Sequence, residues 1–139
     1  MNHARRILLA VSVLLAFGLL SGCKQSSVAI GWVASQRPGH WEASYTTFTG
    51  SKIASVPTDA GEALTLEYTA EVDKGSLIIE VQDPDDEVLW DVTLRENAAE
   101  IIELRLDQDG RHAIVVRGDD AGGSFVLSWE VRWRPDSVD

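Results

Sequence analysis

Apolar and polar residues alternate along most of this chain. From Glu62 to Val72, the residues Leu64, Leu66, Tyr68, Ala70 and Val72 fall on one side, and Thr65, Glu67, Thr69 and Glu71 on the other. A period of two marks a strand with one buried face, because successive Cβ atoms point to opposite sides of the sheet. The period recurs in Leu77, Ile79 and Val81, then in Val88, Trp90, Val92 and Leu94. It returns in Ile102, Leu104 and Leu106, in His112, Ile114 and Val116, and in Phe125, Leu127, Trp129, Val131 and Trp133. Turn-forming residues separate these runs: Asp73-Lys74-Gly75, Asp83-Pro84-Asp85-Asp86, Asp107-Gln108-Asp109-Gly110 and the stretch from Gly118 to Gly123. Each predicts a hairpin turn. Glu96, Ala98, Ala99 and Glu100 favour a helix, but the flanking strands and Ile101-Ile102 predict a strand over 100–106. Val28 to Ala34 reads as a first strand or as linker, and Arg37-Pro38-Gly39 ends it. Connections this short cannot carry parallel crossovers. The pattern therefore predicts an all-β fold, an antiparallel, jelly-roll-like β-sandwich.

The N-terminal segment follows different rules. Arg5 and Arg6 precede an uncharged apolar run from Ile7 to Leu20, 14 residues long. That run is too short for a stable membrane span, which needs about 20 residues. It fits the apolar core of a signal peptide, a signal helix preceding the sandwich. Leu20-Ser21-Gly22-Cys23 closes it. This tetrapeptide resembles the lipobox of the bacterial lipoprotein signal family. The resemblance implies cleavage between Gly22 and Cys23, joining of the Cys23 thiol to diacylglycerol, and acylation of the new amine. Two or three acyl chains anchor stably where one is marginal, since each buried methylene contributes about 0.8 kcal/mol. The expected organisation is signal peptide over 1–22, lipidated cysteine and tether over 23–40, sandwich over 41–134 and a C-terminal tail over 135–139. The expected address is the bacterial cell envelope, membrane-anchored and extracytoplasmic. Lys24 stands where an Asp would resemble an inner-membrane retention signal, so an outer membrane, if present, is favoured; otherwise the protein faces outward from the cell membrane.

Composition narrows the functional classes. Cys23 is the only cysteine. Lipidation consumes it and leaves the domain without disulfides, held by its core alone. All 22 acidic residues lie beyond Gly22, against ten basic ones, giving the mature part a charge of −12. A surface this acidic repels nucleic acid, which excludes a DNA- or RNA-binding role.

The stretch from Gly75 to Asp85, Gly-Ser-Leu-Ile-Ile-Glu-Val-Gln-Asp-Pro-Asp, is followed by Val88-Leu89-Trp90, by Asp109-Gly110 with Ile114 and Val116, and by Gly123-Ser124-Phe125. This series, over roughly residues 45–131, resembles the small β-sandwich modules of pre-peptidase C-terminal type, and is similar to short uncharacterised bacterial lipoproteins. The resemblance implies an extracytoplasmic accessory or binding role and carries no catalytic residues. His112 departs from it, standing where such modules place a Tyr, and Asp86 stands where Gly often completes the turn.

Three kinds of chemistry remain to be placed. Asp83 and Asp85 on one turn, with Asp107 and Asp109 on another, are candidate calcium ligands, since calcium takes clustered carboxylate and carbonyl oxygens. Alternate turns of a meander would bring the two together at one end. Sugar binding needs flat, exposed aromatic faces beside polar groups. Trp32, Trp41 and Trp133 lie near strand ends and are the candidates, whereas Trp90 and Trp129 sit among Leu and Val and read as core. Catalysis has thin support: beyond the leader only His40 and His112 are histidines, and no Gly-x-Ser-x-Gly or His-Glu-x-x-His motif occurs. The expectation is a non-enzymatic lipoprotein without cofactor that binds a protein or glycan partner or supports the envelope. A carbohydrate- or calcium-binding module is second, and a hydrolase third.

Overall fold

The computed structural model describes residues 27–135. The leader and Cys23 lie outside them, as do 136–139. Seven strands follow in order: β1 (Val28–Ile30), β2 (Val33–Arg37), β3 (His40–Thr58), β4 (Glu62–Gln82), β5 (Val88–Leu94), β6 (Ala98–Arg105) and β7 (Gly110–Trp133). Every pairing between them is antiparallel.

Three of these strands are much longer than a typical strand of five or six residues. β3, β4 and β7 hold 19, 21 and 24 residues. Each runs through both layers of a sandwich and bends between them. The first layer has the order β2, early β3, late β7, early β4, β6, as shown by Ala34↔Ala43, Ala43↔Phe125, Ala70↔Phe125 and Ala70↔Ala98. The second has the order late β3, early β7, late β4, β5, through Ala54↔Ile114, Val81↔Ile114 and Val81↔Trp90. Trp41, Leu66, Tyr68, Phe125 and Leu127 from the first layer share one buried cluster with Val56, Leu77, Ile79, Ile114 and Val116 from the second. The two inner faces therefore close on each other, with strands that change layer at a corner.

The corner corrects two expectations. Asp73-Lys74-Gly75 and Gly118 to Gly123 are not hairpin turns; they lie inside β4 and β7. Register shifts mark the bend between Val72 and Ser76, and in β3 between Tyr45 and Gly50. Gly75 and Gly123 take φ of 64° and 139°. A Cβ on Gly123 would run into the carbonyl oxygen of Glu71, and one on Gly75 into those of Asp119 and Asp120. Glycine is thus required here because two backbones press together, not because the chain reverses. β1 pairs with Thr47 to Thr49 at this same corner.

The opposite end carries true turns. Asp83 accepts the N–H groups of Asp85 and Glu87 on Oδ1, both at 2.9 Å, which shapes the 83–87 turn. Asp86 completes it with φ of 64°, a left-handed conformation that Asp tolerates. The connections at residues 58–62 and 105–110 cross between layers and are tied together. Gly61 donates to Leu106 and Leu106 to Glu62, both at 2.8 Å. The layout is therefore not a meander, although the 83–87 and 107–110 turns do meet: Gly110 lies against Pro84. Residues 28–37, placed in the tether by the sequence reading or left open as a first strand, form β1 and β2 of the sheet.

Candidate functional site

A cleft of about 600 Å³ opens at this turn-bearing end, where the two layers part beside β3. Its floor and walls come from Trp129 and Val131 of β7 and from Ser55 and Pro57 of β3, with Gln36 and Arg37 on the rim. Each element has a reason to be there. Late β3 is the edge strand of the second layer, the position where a sheet tolerates Pro57, which has no N–H to donate. The β2–β3 hairpin ends at Pro38-Gly39, while β7 runs on to Trp133. Trp129 and Val131 are thereby left beyond the hairpin, half-buried against the core cluster. The N–H of Trp129 donates to the carbonyl of Gly39 at 3.0 Å and pins the turn over the cleft. Trp133 shares the face of Trp129 and Val131, since alternate residues of a strand point the same way. It is 64% exposed and packs one edge on Gly61, where only a residue without Cβ leaves room.

The three tryptophans singled out from the sequence take three different places. Trp41 is 2% exposed and meets Phe125 edge-on at 5.2 Å, so its faces are core. Trp32 is half-buried, stacked on Tyr45 at 5.5 Å, with the Lys52 ammonium 5.3 Å above its ring. That cation–π contact occupies a face of the indole. Trp133 remains available. Trp129, read from its Leu and Val neighbours as core, is the one that lines the cleft. Its apolar phase along β7 was right; what alternation could not show is that β2 stops short of it. Trp90 packs on Tyr68 at 6.0 Å, as expected of a core residue.

The four aspartates are neighbours without being a ligand set. Asp83 is spent on its own turn. Asp85 accepts from Gln108 at 3.3 Å, Asp107 pairs with Arg105 at 3.6 Å, and Asp109 accepts the N–H of Ala60 at 2.7 Å. Among the described residues no three His, Cys, Asp or Glu side chains converge as metal ligands do.

The two histidines differ in environment. His112 is 1% exposed, and its Nδ1 shares a 2.7 Å hydrogen bond with the Thr58 hydroxyl. Burial lowers its pKa, while Asp83 and the Gly110 backbone oppose the shift. His40 stands on the outer face between Ser128 at 3.3 Å and Glu42 at 3.4 Å. This has the order of a nucleophile, base and orienting acid, but it lacks the rest of the machinery. Ser128 sits in a strand paired on both sides, with His40 and with Glu67, and the next N–H, that of Trp129, is held by Gly39. No free backbone donors point at a developing oxyanion there. Two tyrosine hydroxyls are also structural. Tyr68, pushed up to about 12 by burial and then by Glu100, donates to Glu100 at 2.7 Å. Tyr45 is raised to about 12 by burial and by Asp73.

No protein-family model matches the chain. No curated protein matches it either. Among solved structures it is similar in shape to TmCBM61 in complex with beta-1,4-galactotriose, at 15% identity and a TM-score of 0.47, covering 75% of this chain and 89% of that one. It is also similar to a carbohydrate-binding module from Cellvibrio mixtus lichenase 5A in complex with cellotriose, at 15% identity and a TM-score of 0.43, covering 80% and 92%. A structure described as "CBM4 structure and function" gives 13% identity, a TM-score of 0.46, and coverage of 76% and 80%. These are partial likenesses of backbone shape, and the site stands on its own geometry.

Proposed function

We propose that this chain is a lipoprotein of the bacterial envelope, anchored through Cys23, whose β-sandwich binds a glycan segment without cleaving it. The observation that carries the binding reading is the cleft. It sets the indole of Trp129 and the rings and methyls of Pro57 and Val131 beside the polar Gln36, Arg37 and Ser55. A sugar ring has an apolar C–H face and a polar rim, and a surface that offers an aromatic face next to hydrogen-bonding groups matches both. Its volume lies in the range of ligand clefts, about 300–1,000 Å³. Trp133 prolongs the apolar face by four residues, about 13 Å along the strand, which suits a chain of sugars better than a single one. The non-catalytic half of the reading rests on His112 being buried and His40 having no oxyanion donors beside it. The lipobox supports the anchor.

Titration calorimetry of the full chain in detergent, against oligosaccharides of plant and bacterial cell walls, tests the binding. At least one should bind at millimolar concentration or below, and Trp129→Ala should weaken it tenfold or more. Ser55→Leu, which crowds the cleft with an uncharged side chain from an exposed strand position, should do the same without touching the core. No heat from any oligosaccharide would overturn the reading.

A further inference from the structure

We infer that the cleft takes an acidic glycan, one whose sugars carry carboxylates, and that Arg37 receives them. The inference rests on the glycan reading above and deepens it. The chain has 22 acidic residues against 12 basic ones, yet no carboxylate is among the residues that line the cleft. Arg37 is the charged group that is there. Arg111, paired in register with Pro57, lies one strand in from the β3 edge and is not among the lining residues.

The rest of the basic side chains show why Arg37 stands out. Within residues 27–135, Lys74, Arg105, Arg117, Arg132 and Arg134 each form an ion pair with a carboxylate. Lys52 lies over the Trp32 ring. Arg37, Arg95 and Arg111 are left with no such partner among the described residues, in a chain with acids to spare. Of those three guanidinium groups, that of Arg37 lines the cleft. Arg95 follows β5, next to Asn97, which holds the corner through Val72. A guanidinium presents paired N–H donors that match the two oxygens of a carboxylate. Ion pairs with the chain's own acids would have occupied them. Their freedom at the cleft leaves positive charge where a sugar carboxylate would lie when its ring rests on Trp129. The acidic surface elsewhere repels the same polymer, so charge also directs it to this end.

Calorimetry on the full chain, comparing galacturonate oligomers with neutral galactose oligomers of equal length, reads this directly. The acidic oligomer should bind about tenfold tighter or more, as a charge-assisted hydrogen bond allows. The margin should shrink with added salt. Arg37→Gln should remove most of the preference, and Arg95→Gln and Arg111→Gln should keep it. Equal binding of the two oligomers would overturn the inference and leave the glycan reading standing. A preference unchanged in Arg37→Gln would overturn it too. Binding of neither oligomer, nor of any other glycan, would remove the glycan reading and this inference with it.

Discussion

His112 shows how a single side chain can carry a pH dependence without serving a reaction. It is buried beside Thr58 and Asp83 at the joint of two connections. Its folded pKa is lowered, chiefly by burial, from the ordinary 6.5. Below that value the unfolded chain binds the proton first, so unfolding takes up protons and stability falls as the pH drops. Urea unfolding of wild type should therefore lose stability between pH 7.5 and 5.5 that His112→Gln does not lose. The gap between the two should change by about 1 kcal/mol, within the limit of 1.4 kcal/mol per unit for one group. Parallel curves for the two proteins would show that His112 binds its proton equally in the folded and unfolded states. The residue's burial was legible, because it alternates in phase with Ile114 and Val116. Its partner was not, since Thr58 lies 54 residues away in sequence.

The strands teach a different lesson. Alternation located the apolar faces correctly from Leu64 to Val72, from Leu77 to Val81 and from Phe125 to Val131. It could not tell a turn from a corner. Asp73-Lys74-Gly75 has the composition of a hairpin turn, and the period of two resumes after it, as it would on either path. The difference lies in a distant partner: β7 bends alongside β4 and keeps both halves paired, which a local reading does not contain. The same blindness hid the cleft. Trp129 looks like core by phase, and only the short β2 exposes it. The corner's glycines give a test at this scale. Gly123→Ala asks a Cβ to fit against the Glu71 carbonyl at a φ of 139°. It should destabilise the fold by more than about 1 kcal/mol, read from urea unfolding. An unchanged midpoint would mean that β4 and β7 can separate at the bend.

For the whole molecule, the sandwich class was readable from periodicity and short connections, while the passage of three strands through both layers was not. The anchor remains a matter of the first 23 residues, and Cys23→Ser is its test. The substitution should abolish labelling by radioactive palmitate and release the chain from the membrane fraction; a variant that still labels would place the lipid elsewhere. Attachment at Cys23 also has a geometric consequence, fixed by where β1 sits. Ser27 is four residues beyond the cysteine, a leash of at most about 15 Å. β1 begins at the next residue and is stitched to the corner through Thr47 to Thr49. The leash is shorter than the body it holds: from Gly50 to Pro57 alone, the second layer extends about 23 Å. With the chain anchored at Cys23, the corner would be the foot of the molecule and the cleft its head. Such a mooring would turn the cleft toward polymers arriving from beyond the membrane, and away from the lipid headgroups beneath it.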